Sequence, residues 1–140
     1  MRTWLKLIGS VKEPITGYPY YGKYDTGIVG FRKNRKPSVR LGDSLFLYAP
    51  GGSKRIFALA EVTSDPEYDA AYDPQEEGST FWIVKVRYVI SLAVESGIHI
   101  DEITTHRRNL LKSIQRQSHI ELLPEESELA YSKLQKKAMS

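Results

Sequence analysis

The chain contains no cysteine. Disulfides and thiolate metal sites are therefore excluded, and a reducing cytoplasm fits that composition best. Long apolar runs are missing as well. No stretch approaches the roughly 20 residues a membrane helix needs, so no membrane partner is expected. Met1-Arg2-Thr3-Trp4-Leu5-Lys6 lacks signal-peptide architecture, because Lys6 and Gly9 interrupt any apolar core. Histidine is scarce: His99, His106 and His119 share no H-E-x-x-H spacing, and without cysteine the zinc-deaminase signature cannot be built. There is no G-x-S-x-G elbow and no G-x-x-x-x-G-K-S/T loop; Gly51-Gly52-Ser53-Lys54 is too short and falls in a hairpin. Asp65, Asp69 and Asp73 are spaced by four, but prolines at both ends of that segment favour a solvated acidic loop over a metal site. His106, beside Arg107 and Arg108, reads more simply as a surface histidine than as a general acid. No catalytic residue, metal or cofactor is expected, and the chain does not read as an enzyme.

What is present is ordinary in amount and uneven in placement. The 140 residues are 41% hydrophobic and 26% charged, enough for one domain, 1–140, with a single core. The net charge is +3, but more than half of the 20 Lys and Arg lie in residues 1–60, opposed only by Glu13, Asp25 and Asp43. Glu61 to Trp82 is acidic and holds no base. A basic half attracts a polyanion; the plainer reading is two surface patches that balance each other.

Leu41 to Ser64 organises the chain. Ser44–Ala49 alternates Leu45, Leu47 and Ala49 against Phe46 and Tyr48, and Arg55–Thr63 alternates in the same way, so both predict strands. Pro50-Gly51-Gly52-Ser53 between them is turn chemistry. Thr3–Ile8 reads as a first strand anchored by Trp4. Gly9–Gly30, dense in glycine and tyrosine, reads as an irregular segment laid over the sheet, either a packing lid or a pocket wall. Asp65–Pro74 is expected to be a loop, Phe81–Ile90 a strand, and Leu92–Ile100 a connector. Asp101–Gln117 predicts a helix with Ile103, Leu110, Leu111 and Ile114 on one face. Ser118–Leu123 predicts a strand, and Pro124 opens a last helix with acids first and lysines at its end. The order predicts an α+β domain around a mainly antiparallel sheet curled into a partial barrel.

Three basic clusters are candidate phosphate contacts. The first is Arg32, Lys33, Arg35, Lys36 and Arg40, with Asn34 available for a base edge. The second is Lys54 and Arg55 at the hairpin turn. The third is Arg107, Arg108, Lys112 and Arg116. Lys and Arg neutralise phosphates and release counterions, while Tyr20, Tyr21, Tyr24 and Tyr48 could stack an unpaired or flipped base.

Several segments together resemble the EVE domain of the PUA-like superfamily, which also includes the YTH and ASCH domains. They are the opening Trp4-Leu5-Lys6 strand, Gly27-Ile28 followed by bases, and Leu41-Gly42-Asp43-Ser44-Leu45-Phe46-Leu47-Tyr48. Ile56-Phe57-Ala58-Leu59-Ala60-Glu61-Val62, Phe81-Trp82-Ile83-Val84-Lys85-Val86, Arg116-Gln117-Ser118 and Leu123-Pro124-Glu125-Glu126 complete the set. The resemblance spans nearly the whole chain. It implies a PUA-like barrel flanked by helices that acts as a reader of DNA or RNA, holding a modified or flipped base in an aromatic-lined pocket beside a basic groove. The pocket it implies would be built from Ser10, Tyr24, Thr26, Gly27, Ile28 and Tyr48. Thr26 stands where members of the family commonly carry Trp, so Tyr24 or Tyr21 would have to replace that wall, or the ligand would differ.

The expected nucleic-acid contacts are Arg32, Lys33, Asn34, Arg35, Lys36, Arg40, Lys54, Arg55 and Arg116. Two alternatives stay open: an ASCH-like RNA-cleaving enzyme using Lys54 or Lys33, and a protein that binds a small nucleotide or base.

Overall fold

In the computed structural model the described residues are 1–8, 27–31, 34–71, 75, 81–115 and 117–139. Eight strands form among them: β1 (Thr3–Leu7), β2 (Ile28–Phe31), β3 (Ser44–Ala49), β4 (Arg55–Val62), β5 (Glu67–Tyr68), β6 (Trp82–Ser91), β7 (Ile98–His99) and β8 (His119–Glu121). The sheet order is β2-β6-β4-β3-β1-β8, with β5 added to β6 and β7 to β4. All pairs are antiparallel except β1 with β3. The two ends of this order meet: the rings of Phe31 on β2 and His119 on β8 lie edge to face, 5.0 Å between centroids. The sheet is thus curled into a partial barrel, as the sequence predicted.

Each face of the curl buries its own cluster. Inside lie Trp4, Ile8, Val29, Phe31, Leu45, Leu47, Phe57, Val84 and their neighbours. Outside, Leu5, Phe46, Tyr48, Ile56 and Leu59 pack under α1 (Leu110–Ile114) and α2 (Pro124–Ala138). Period-two alternation explains the split on β1 and β3. On β4 it breaks: Phe57 and Ala58 both join the inner cluster, between register shifts at Leu47/Tyr48 and Leu59/Ala60. Bulges re-aim side chains in this way and help a sheet to coil. In the β3–β4 turn Gly51 takes a φ of 78°, open to glycine at little cost, and Lys54 a φ of 49°.

Three expectations need correction. The helix predicted over Asp101–Gln117 is only α1, preceded by a 3-10 turn at Ile100–Ile103. His99 Nδ1 accepts from the Asp101 amide at 3.1 Å, and Glu102 accepts from the His99 amide at 2.9 Å, which sets up a short turn. Thr104 then goes extended (ψ 129°), and Asn109 restarts the helix by accepting from the Lys112 amide at 3.1 Å. Polar side chains that bond the local backbone compete with a continuous helix. The irregular segment expected up to Gly30 instead enters β2 at Ile28, and the expected acidic loop carries β5 at Glu67–Tyr68. α2 follows its signals, with Pro124 in its first turn and Lys136 and Lys137 in its last.

Candidate nucleic-acid interface

The seam where β2 meets β8 gathers polar groups that sequence reasoning did not assign to a site. Lys6 alternates with Trp4 and Ile8 on the inner face of β1 and is only 6% exposed. Its ammonium lies 5.1 Å from the Phe31 ring centroid and donates to the Leu7 carbonyl at 2.6 Å. Burial pushes this amine down to about 7, since a charged form stripped of water is disfavoured. Lys6 is paired in register with His119, whose ring also meets Trp4 edge to face at 5.4 Å. Next to it, Ser118 gives its carbonyl to the Leu7 amide at 3.0 Å, while its buried hydroxyl has no hydrogen-bond partner among the described residues. The signal available in the sequence was the alternation itself, because Trp4-Leu5-Lys6 places a base on the same face as the anchoring tryptophan.

The expected pocket residues fall differently. Ser10, Tyr24 and Thr26 lie outside the described residues, as do Tyr20, Tyr21, Arg32, Lys33 and Arg116. Gly27 has a φ of +79°, and its carbonyl accepts from the Val86 amide at 2.7 Å. Its role here is backbone geometry; an added Cβ would sit 3.0 Å from the Val86 oxygen. On β2 it is Val29 and Phe31 that face the interior, so Ile28 alternates away from it. Tyr48 is a correction. It is 1% exposed and belongs to the helix-side cluster, on the opposite face of β3 from Leu45 and Leu47. Burial, with the Asp101 charge adding, raises its hydroxyl above the ordinary tyrosine value and keeps it protonated.

Among the described residues the bases of the first two clusters stand at separate ends of β3. Asn34, Arg35 and Lys36 are exposed on the loop after β2, where the Asn34 carbonyl accepts from the Trp82 indole at 3.4 Å. Arg40 stands before β3, folded back on the Pro37 and Val39 carbonyls at 3.0 Å each. Lys54 and Arg55 follow the far end of β3, about 20 Å of strand away. The Arg55 guanidinium is partly tied, donating to the Gly97 carbonyl at 3.2 Å. Of the helix cluster, Arg108 is engaged with Glu126 and Arg107 with Glu125. Among the described residues no group of His, Cys, Asp and Glu could hold a metal ion, and no helix is long and apolar enough to cross a membrane.

No curated protein matches the sequence. Solved structures do share the fold. The human THYN1 protein, in complex with 5-methylcytosine-containing DNA, superposes with a TM-score of 0.64 at 17% identity, over 94% of this chain and 96% of that one. Protein PSPTO5229 from Pseudomonas syringae gives 0.61 at 13% identity, over 93% and 97%. A mutant of the Zymomonas mobilis ASCH protein gives 0.53 at 14% identity, over 94% and 98%. At such identities the likeness establishes the fold alone. The sequence itself matches the EVE domain over residues 22–132, and the chain belongs to that family.

Proposed function

We propose that this protein is a nucleic-acid-binding module that reads a single modified or flipped base at the seam of its barrel, and that it is not an enzyme. The observation that carries the reading is the polar cluster inside an otherwise apolar curl: the Lys6 ammonium over Phe31, with the His119 ring edge to face with both Phe31 and Trp4. A buried amine is costly to charge, and a ligand bringing an acceptor lowers that cost. A base has a flat apolar face for Phe31 and Trp4 and acceptors on its edge for Lys6.

Residues 9–26 join the end of β1 to Gly27, so Ser10, Tyr24 and Thr26 remain proposed members of the pocket. Exposed Arg35 and Lys36, with Arg32 and Lys33 beside them in sequence, would hold phosphates, with Lys54 and Arg55 acting as a second, separate contact. The human protein of the same fold that is bound to 5-methylcytosine-containing DNA supports nucleic acid as the ligand class.

The test is fluorescence-anisotropy binding to short DNA and RNA strands, plain and carrying 5-methylcytosine or N6-methyladenine, at two salt concentrations. One modified strand should bind best, and affinity should fall with salt by a log–log slope near −0.9 per duplex phosphate contacted. Absence of binding to every strand at low salt would overturn the reading. The enzyme alternative has one observation in its favour, a buried lysine whose amine titrates near neutrality as a general base must. Recovery of every RNA strand intact after long incubation excludes it.

A further inference from the structure

A cavity lies on the other side of β1 from the seam. It has a volume of about 670 Å³ and opens between the β3–β4 turn and α1. Leu7, Leu111 and Ile114 wall it, the Tyr48 ring forms part of its floor, and Lys54 and Gln115 stand at its polar edge. That volume falls within the range typical of small-ligand sites.

Its position ties it to the seam. Lys6 faces the barrel interior and Leu7, the next residue, faces this groove, because successive strand residues point to opposite faces. At the same strand end the Leu7 amide bonds the Ser118 carbonyl and the Ile8 amide bonds the Tyr48 carbonyl at 2.8 Å. The seam and the groove thus share one end of β1.

The chemistry of the groove suits a nucleotide. Leu7 and Leu111, both part-exposed, offer an apolar surface to the face of a base. The Gln115 amide can both donate and accept at its edge, and the Lys54 ammonium can meet a phosphate. Among the described residues no lining side chain is acidic. The Tyr48 hydroxyl, kept protonated, remains a donor.

Resting on the reader function proposed above, we infer that the groove between the β3–β4 turn and α1 is a second subsite. It takes the nucleotide adjacent to the one read, with its base against Leu7 and Leu111 and its phosphate at Lys54. The ligand is then at least a dinucleotide.

Two variants isolate the groove without touching the seam. Gly52→Phe fills its mouth: a Cβ at Gly52 meets nothing within 4 Å, and its φ is not in the left-handed region. Lys54→Gly removes the cation at a φ of 49°, where glycine is more at ease than lysine, so the fold is not weakened. The probes are single-stranded DNA and RNA strands carrying the best-bound modified base, the same strands with an abasic site next to it, and the free modified nucleoside. Wild type should lose about tenfold in affinity when the neighbouring base is abasic, in line with the loss of one stacked base. Gly52→Phe should bind the intact strand about as weakly as wild type binds the abasic one, yet bind the nucleoside unchanged. Lys54→Gly should reduce the salt slope by about one. Intact-strand binding by both variants at wild-type strength, or indifference of wild type to the abasic neighbour, overturns the subsite and leaves the reader standing. Failure of wild type to bind any strand or nucleoside overturns both.

Discussion

The Asp43 carboxylate, before β3, accepts a hydrogen bond from the Trp4 indole of β1 at 2.9 Å, 39 residues away in sequence and buried. The same carboxylate accepts from the Arg2 and Arg40 amides at 3.0 Å each. These bonds lock the start of β1 beside the start of β3, the one parallel pair of the sheet. A parallel pair has no tight turn to fix its register, so a side-chain anchor does that work instead. The Gly-Asp and Trp-Leu motifs of the sequence are therefore two halves of one contact.

Replacing Asp43 with Ala should cost about 3 kcal/mol, because three donors lose their acceptor where water cannot readily replace it. The anchor is also pH-dependent. Burial alone would raise the Asp43 carboxyl, but the bonds from Arg2, Trp4 and Arg40, with the amino terminus nearby, outweigh it and hold the group below its usual range. Its contribution is thus present above the ordinary aspartate value of about 4 and lost as pH falls through the depressed folded value. Urea unfolding of wild type and Asp43→Asn across the acid range should show a flatter profile for the variant. A profile parallel to wild type would refute the assignment.

A second anchor ties the turn before α1 to α2. Glu126 is fully buried and takes two bonds from the Arg108 guanidinium, at 2.8 and 2.6 Å, while also accepting from the Leu123 amide at 2.7 Å. Arg108→Ala should lower stability by about 3–5 kcal/mol, since it leaves a buried carboxylate without its counter-charge. Combining it with Glu126→Leu should recover part of the loss, as removing both charges avoids the unpaired one. Thermal melts of the two single variants and the double variant check this, and additive losses would contradict it.

Much of the fold was legible in the sequence because period and turn chemistry are local. The β3–β4 hairpin, the long strand β6 and α2 follow from alternation, Gly51, and Pro124 with its flanking charges. The false helix over 101–117 shows the limit. Ile103, Leu110 and Ile114 are all buried, yet they reach the core from a 3-10 turn and a short helix, because His99, Glu102 and Asn109 cap their own backbone. The site was less legible. Tyr48 sits on a strand end beside bases, but which face of β3 it occupies depends on the curl, and the same curl brings Lys6, Phe31 and His119 together. Arg108 counted in sequence as a phosphate ligand, whereas its partner is Glu126.

Two glycines should behave in opposite ways. A Cβ at Gly97 would fall 2.3 Å from the Ile56 carbonyl oxygen and 3.1 Å from the Phe57 Cα, so backbone must move to admit it. Gly97→Ala is expected to destabilise by about 1–3 kcal/mol, as overpacked sites do. Gly52→Ala, with open space around it, should stay within about 0.5 kcal/mol of wild type. Chemical denaturation midpoints of the pair decide, and equal effects would mean that the β4 backbone yields more readily than its packing suggests.

Lys6 links stability to pH through its burial. Its folded amine titrates near 7 against an unfolded value of 10.5, so between those values the unfolded chain binds a proton that the folded chain does not. Stability contributed through this group therefore rises with pH from about 7 to about 10.5, and the burden of a buried charge is fully present below that window. Lys6→Met keeps the volume and the apolar contact with Phe31 but removes the charge. It should unfold at higher urea at pH near 6, gain progressively less over wild type as pH rises, and show a flatter stability profile across the window. The same substitution removes the donor at the seam, so binding of the best modified strand should weaken by about tenfold or more, the usual scale for a lost charged hydrogen bond. A more stable protein that binds less well separates the two roles of Lys6. Unchanged binding would place the read base elsewhere on the barrel.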